Sequence, residues 1–155
     1  MFKEKIISAG LDIKRPILGL SDEEIEEIER HQAVKLPAHY KLFLEECGKS
    51  AGPLFNDVDF SFPALKHLKQ ELKGAIEENG ADFLIPDNAF VFAAYQGSQY
   101  LYFICDQDDP PTFTVYDDGT VESGADSFSE FIEKVIEDWR TIFSDEHLPE
   151  IEKKT

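Results

Sequence analysis

Between Phe90 and Glu122 the chain is a series of short β-forming runs separated by tight turns, and this block constrains the fold more than any other stretch. Phe90 to Tyr95 is almost wholly apolar, which places it centrally in the sheet. Gln96-Gly97-Ser98-Gln99 reads as a hairpin turn into a second strand, Tyr100 to Cys105. Asp106 to Pro111 is a turn-rich connection, because Pro110 and Pro111 have no N–H to give to a ladder. Thr112 to Tyr116 is a third strand, Asp117-Asp118-Gly119 a tight turn, and Thr120-Val121-Glu122 a short return strand. Further upstream, Val58, Phe60 and Phe62 alternate with Asp57, Asp59 and Ser61, the pattern of a strand with one wet face.

Helical patterns flank this block. Ser21 and Glu24 have capping-box spacing, Leu20 and Ile25 stand at the ends of a hydrophobic staple, and Asp22, Glu23 and Glu24 favour the positive end of a helix dipole. Pro37 opens a second helix, in which Tyr40, Phe43, Leu44 and Cys47 share one face and Gly48 ends the run. Pro63 opens a third, with Leu65, Leu68, Leu72 and Ile76 inward and Asn79-Gly80 as its stop. The last begins near Ser127, spaced from Glu130 as another cap. Its stripe of Phe128, Phe131, Ile132, Val135, Ile136 and Trp139 needs a large surface to lie against, and the sheet provides one. The expected fold is α+β: a mostly antiparallel sheet of about five to six strands, with N-terminal helices and a C-terminal amphipathic helix packed on it. Residues 1–155 form one domain with a core over about 20–143 and a short flexible C-terminal tail.

Charge narrows the function classes. The chain carries 15 Lys and Arg against 32 Asp and Glu, a net charge of −17. Phosphate-mediated nucleic-acid binding needs clustered cations, and an anionic membrane surface would repel this chain, so neither is an expected partner. The excess is local. From Gly74 to Glu133, sixty residues, there is no Lys, Arg or His, and the segment holds thirteen carboxylates. Acidic residues keep sheet edges apart, which is one use for them. The other is a docking surface, because uncompensated like charges destabilise the fold until a basic partner relieves them.

Motifs for chemistry are scarce. His31, His39, His67 and His147 have no metal-ligand spacing, and no HExxH, P-loop, GxSxG or GxGxxG occurs. Asp106-Gln107-Asp108-Asp109 invites calcium, but Pro110 and Pro111 occupy the positions where the EF-hand loop needs an acidic or amide residue and glycine. Cys47 falls on an apolar helix face and Cys105 stands beside Asp106, so neither reads as a nucleophile. No catalytic residue, cofactor or metal is expected. The first ten residues lack a signal-peptide core and no apolar run spans a bilayer, which makes the cytoplasm the default location.

The order of these features resembles a known family. Leu36-Pro37-Ala38-His39-Tyr40-Lys41-Leu42-Phe43-Leu44 is similar to the LP-x-x-Y-x-x-F-L stretch of the SUKH superfamily. The acidic helix Ser21 to Arg30 precedes it, as in the family. Phe90-Val91-Phe92, Tyr100-Leu101-Tyr102-Phe103, Asp109-Pro110-Pro111 with Val115-Tyr116, and Asp126 to Phe131 resemble its later blocks in the same order, so the likeness covers about residues 20–140. The superfamily includes fungal regulators of cell-wall assembly and glucan synthesis and many bacterial toxin-immunity proteins. The resemblance implies an α+β domain without enzymatic activity that binds a cognate toxin, often a nuclease, and neutralises it.

Charge and strand placement, not the resemblance, select the expected contact residues: Tyr95, Gln96, Tyr100, Tyr102, Asp106, Asp108, Asp109, Asp117, Asp118 and Glu122. The carboxylates would steer a basic toxin and the tyrosines would supply desolvated contact area. The alternatives are a regulatory scaffold of the cell-wall-assembly type with no toxin partner, and a carboxylate-dependent hydrolase. The hydrolase requires a closed pocket with two convergent carboxylates.

Overall fold

The computed structural model describes residues 1–13, 15–55 and 58–154, with side chains as far as Ile142. The helical half begins with α1 (Phe2–Ser8), α2 (Asp22–Gln32) and α3 (Ala38–Cys47). Ser21 caps α2 as its spacing predicts: its Oγ accepts from the Glu24 N–H at 3.2 Å, and Glu24 Oε1 accepts from the Ser21 N–H at 3.0 Å. Two short strands frame the pair, β1 (Ile17–Leu18) and β2 (Ser50–Ala51), which pair antiparallel. Pro63 precedes a 3-10 turn (Ala64–His67) that runs into α4 (Leu68–Glu78). The sheet is a four-stranded antiparallel meander of β3 (Ala89–Tyr95), β4 (Gln99–Ile104), β5 (Thr112–Tyr116) and β6 (Val121–Ser123), in that spatial order. The final helix, α5, spans Phe128–Lys154. The architecture is α+β, as the sequence predicts.

Cross-strand partners share a sheet face, so the register sorts the strand side chains. Phe90 pairs with Phe103 on the face that meets the helices. There the Tyr40 ring of α3 lies 5.1 Å from both, and 5.0 Å from Phe128 of α5. Phe2 of α1 joins this aromatic cluster through Phe43 and Phe128. Val91 pairs with Tyr102, Tyr102 with Phe113, and Tyr100 with both Ala94 and Val115, so these side chains line the opposite face. The segment after α4 lies on that face, where Phe83 contacts Tyr102 at 6.2 Å between ring centroids.

Several expectations change. β3 is an edge strand, not a central one. It is buried from Ala89 to Ala94 because both faces are covered and its free edge is closed by other means. The Gln32 amide bonds the Val91 backbone on that edge, and Asp59 forms an isolated bridge to Ala94. Val58 to Phe62 is therefore one bridge and not a strand, since only Asp59 reaches a partner; Asp57 lies outside the described residues. α1 and the β1–β2 pair have no counterpart in the expected layout. Both are too short to show a period, and tertiary contacts hold them.

Candidate functional site

The two hairpin turns meet at one end of the sheet. Gln99 pairs with Tyr116, and the Asp117 N–H donates to the Ser98 carbonyl at 2.9 Å, so the β3–β4 and β5–β6 turns sit side by side. Gln96 and Gly97 both have positive φ, 51° and 73°; glycine adopts this freely and glutamine does not. Gln96 is exposed and Tyr95 is 37% exposed at the tip. In the neighbouring turn, Asp118 Oδ1 accepts the Thr120 N–H at 2.9 Å, a bond that holds the Asp118 carboxyl below its usual range.

α4 runs beside this end. Glu71, Ala75 and Glu78 stand at i, i+4 and i+7, one helix face, and with Gly74, Gly97 and Tyr100 they line an open groove of about 710 Å³. Tyr100 is only 2% exposed, yet its hydroxyl makes no hydrogen bond to any described residue. Burial pushes that hydroxyl's pKa up, and the Glu71, Asp117 and Asp59 carboxylates around it push it further. Register brings these groups to one end of the sheet: Asp59 bridges Ala94, Ala94 pairs with Tyr100, Tyr100 pairs with Val115 just before Asp117, and Glu71 lines the groove with Tyr100. Among the described residues no salt bridge reaches Glu71, Glu77, Glu78, Asp59 or Asp117; the ion pairs that form lie elsewhere, as in Lys5–Glu133, Lys49–Glu24 and Lys66–Glu27.

Asp106, Asp108 and Asp109 occupy the opposite end, separated by the length of β4, roughly 17 Å at about 3.3 Å per residue. Asp106 and Asp108 are exposed. Asp109 is internally engaged, with a side chain 24% exposed. Its Oδ1 accepts the Ser129 N–H of α5 at 2.9 Å, and its Oδ2 lies 3.2 Å from His39 Nδ1 of α3. The His39 N–H also donates to the Asp108 carbonyl at 3.0 Å. The loop is therefore pinned to two helix N-termini, where the dipole favours an anion.

The ten residues selected from the sequence do not form one surface. Tyr95, Gln96, Asp117 and Asp118 come together; Asp106, Asp108 and Asp109 are at the far end; Glu122 lies on the exposed edge strand β6, where it accepts the Tyr116 hydroxyl at 3.1 Å. Tyr102 cannot supply contact area: it is 7% exposed and stacks on Phe113, with ring centroids 5.3 Å apart. Tyr100 is buried as a ring and reaches the groove only by its edge. Glu71, Glu78 and Asp59 were missed because they fall outside the strand block or on its helical margin. The readable signal is the pair Glu71 and Glu78 on one face of α4, flanking the buried Leu68, Leu72 and Ile76.

Nucleophile chemistry finds little support. Burial pushes the Cys47 and Cys105 thiols up to about 12. Among the described residues no group of three or more His, Cys, Asp or Glu side chains is placed to hold a metal ion, and no helix is long and apolar enough to cross a membrane. Compared with known proteins, the chain matches the family model of the SMI1 / KNR4 family (SUKH-1) over residues 19–134. No match to a curated protein was found.

Proposed function

The chain belongs to the SMI1 / KNR4 family (SUKH-1), and on that premise we propose that it is a non-enzymatic binding protein of the immunity type, neutralising a cognate basic toxin in the cytoplasm. The observation that carries this reading is that Glu71, Glu77 and Glu78 of α4, the Asp59 bridge and the Asp117 turn, all without ion pairs among the described residues, lie at one end of the sheet. Such a surface carries a field that speeds the approach of a basic protein, and its self-repulsion falls when that protein binds. A nuclease is the toxin class that fits best, because its own cleft must be basic to hold phosphates. Occlusion of that cleft needs no covalent step, only slow dissociation.

The test is co-expression with the toxin encoded in the neighbouring reading frame. The wild-type chain is expected to rescue growth. Charge reversal at the hairpin end, Glu71→Lys with Asp117→Lys, is expected to slow association with the purified toxin at least tenfold and to flatten its salt dependence. Reversal at the far end, Asp106→Lys with Asp108→Lys, is expected to leave association nearly unchanged. Absence of any toxin bound or neutralised would overturn the reading in favour of a regulatory scaffold.

A further inference from the structure

The groove between α4 and the β3–β4 hairpin has three properties that a solvated acidic face does not require. The first is the Tyr100 hydroxyl, on a side chain 98% removed from solvent, opening into the groove without a hydrogen-bond partner among the described residues. Among the described residues no buried side-chain polar atom lacks a partner, so this hydroxyl is the one part of Tyr100 that reaches solvent, at the groove wall where a ligand can meet it. The second is that Glu71 of α4 lines the groove together with Tyr100, while Asp117 stands in the turn bonded to Ser98 next to it, and no described cation pairs with either.

The third is Gly74. It sits in the interior of α4, where glycine is the poorest helix former after proline. Its φ is not positive, and a Cβ built there would meet nothing within 4 Å. Neither backbone conformation nor close packing calls for glycine. Its place is in the groove lining, with Gly97 and Tyr100, where the absence of a side chain keeps the groove open.

We propose that this groove seats one arginine side chain of a protein partner, its guanidinium bound by the Tyr100 hydroxyl on the sheet wall and by the Glu71 carboxylate on the α4 wall. The choice of arginine follows from the number and spread of acceptors. A guanidinium presents five N–H donors in a fixed plane and can serve acceptors on two walls at once, whereas an ammonium is a compact point charge that prefers to stay hydrated. The apolar stem would lie over Ala75 and the edge of the Tyr100 ring. This inference deepens the proposed function and rests on its placement of the partner surface at the hairpin end.

The test uses the whole chain and three peptides, acetyl-Gly-Arg-Gly-amide, its lysine counterpart and its citrulline counterpart, the last a neutral isostere of arginine. In an NMR titration the arginine peptide is expected to shift the Tyr100 ring and the Glu71 and Gly97 signals, with the lysine peptide weaker and the citrulline peptide silent there. Tyr100→Phe removes a hydroxyl with no internal partner, so the fold is kept, and arginine binding should weaken about fivefold. Gly74→Met fills the groove without touching the fold and should abolish binding. Equal shifts from arginine and citrulline, lysine binding as tight as arginine, or unchanged binding by Gly74→Met would each overturn the proposal. Because the peptides need no toxin, such a failure would leave the neutralising function to its own co-expression test. A failed rescue would in turn leave the arginine site standing on the titration.

Discussion

The Gln32 side-chain amide and the Val91 backbone exchange two hydrogen bonds: Gln32 Nε2 donates to the Val91 carbonyl at 2.8 Å, and the Val91 N–H donates to Gln32 Oε1 at 2.8 Å. One side chain at the end of α2 thus takes the place of a neighbouring strand on the free edge of β3. The same Nε2 also donates to the Leu65 carbonyl at 2.7 Å, and Lys69 Nζ holds the Gln32 backbone carbonyl at 3.0 Å. Replacing Gln32 with Leu would strand three backbone groups in the interior. A loss of about 3 kcal/mol is expected, each unsatisfied buried group costing roughly 1–3 kcal/mol. Gln32→Glu loses both donors and sets a carboxylate against two carbonyls, so it should be no better. Urea unfolding measures both, and hydrogen exchange at Val91 should accelerate beyond the global change.

Asp109 and its two acidic neighbours should separate under substitution. Asp109→Ala leaves the Ser129 N–H at the start of α5 without its acceptor and removes the contact to His39, so a loss of about 1 kcal/mol is expected, as for a helix cap. Asp106→Lys and Asp108→Lys alter exposed side chains and should stay within about 0.5 kcal/mol of the parent. Thermal melts of the three variants decide this. Equal stability of all three would mean that the Asp109 bonds contribute nothing.

Acid should weaken the fold through a few identifiable carboxyls. Burial pushes Glu46 up, but bonds from the chain's terminal amine and from the Phe2 and Lys3 N–H groups outweigh it and hold Glu46 below its usual 4.5. The Ser21 N–H does the same for Glu24, and the Thr120 N–H for Asp118. Each group binds its proton less tightly in the folded chain than in the unfolded one. Their stabilisation is therefore fully present above the usual carboxyl range and is lost as pH falls through the lowered values. Unfolding midpoints should be level from pH 7 to about pH 5 and fall below that. Glu46→Gln should start lower and fall less.

Much of this molecule is legible in its sequence where the local signal is also the physical cause. The Ser21–Glu24 cap, the Tyr40-Phe43-Leu44-Cys47 face and the turns at Gly97 and Gly119 depend on a few adjacent residues, and they form as read. What was not legible depends on distant partners. The apolar run Phe90 to Tyr95 signals burial on both faces, which a central strand shares with an edge strand closed by a side chain; only the position of Gln32 separates the two. Tyr100 and Tyr102 look alike in sequence, two residues apart on one face, yet Phe113 stacks on Tyr102 while the Tyr100 hydroxyl opens to the groove. The acidic surface reads in sequence only as a run along the chain; Asp59 and the Asp117 turn come to the end of the sheet where Tyr100 stands only through the register of β3, β4 and β5.

The same substitution should have opposite effects at two glycines. Gly19 follows β1 and presses on the C-terminal turn of α3: a Cβ there would overlap the Glu45 carbonyl, a backbone group that cannot move aside. The Leu20 N–H bonds the Leu44 carbonyl at 2.9 Å and the Lys49 N–H bonds the Leu18 carbonyl at 3.0 Å, so both strands of this contact are fixed on either side of Gly19. Gly19→Ala must break one of them and is expected to cost several kcal/mol, as overpacking against rigid backbone does, about 3 kcal/mol or more. Gly74→Ala adds a methyl to open space in a helix interior and should gain roughly 0.8 kcal/mol from propensity alone. Paired denaturation curves give the sign of each. A Gly74→Ala variant less stable than its parent would show that Gly74 has a packing role and would remove it from the argument for an open groove.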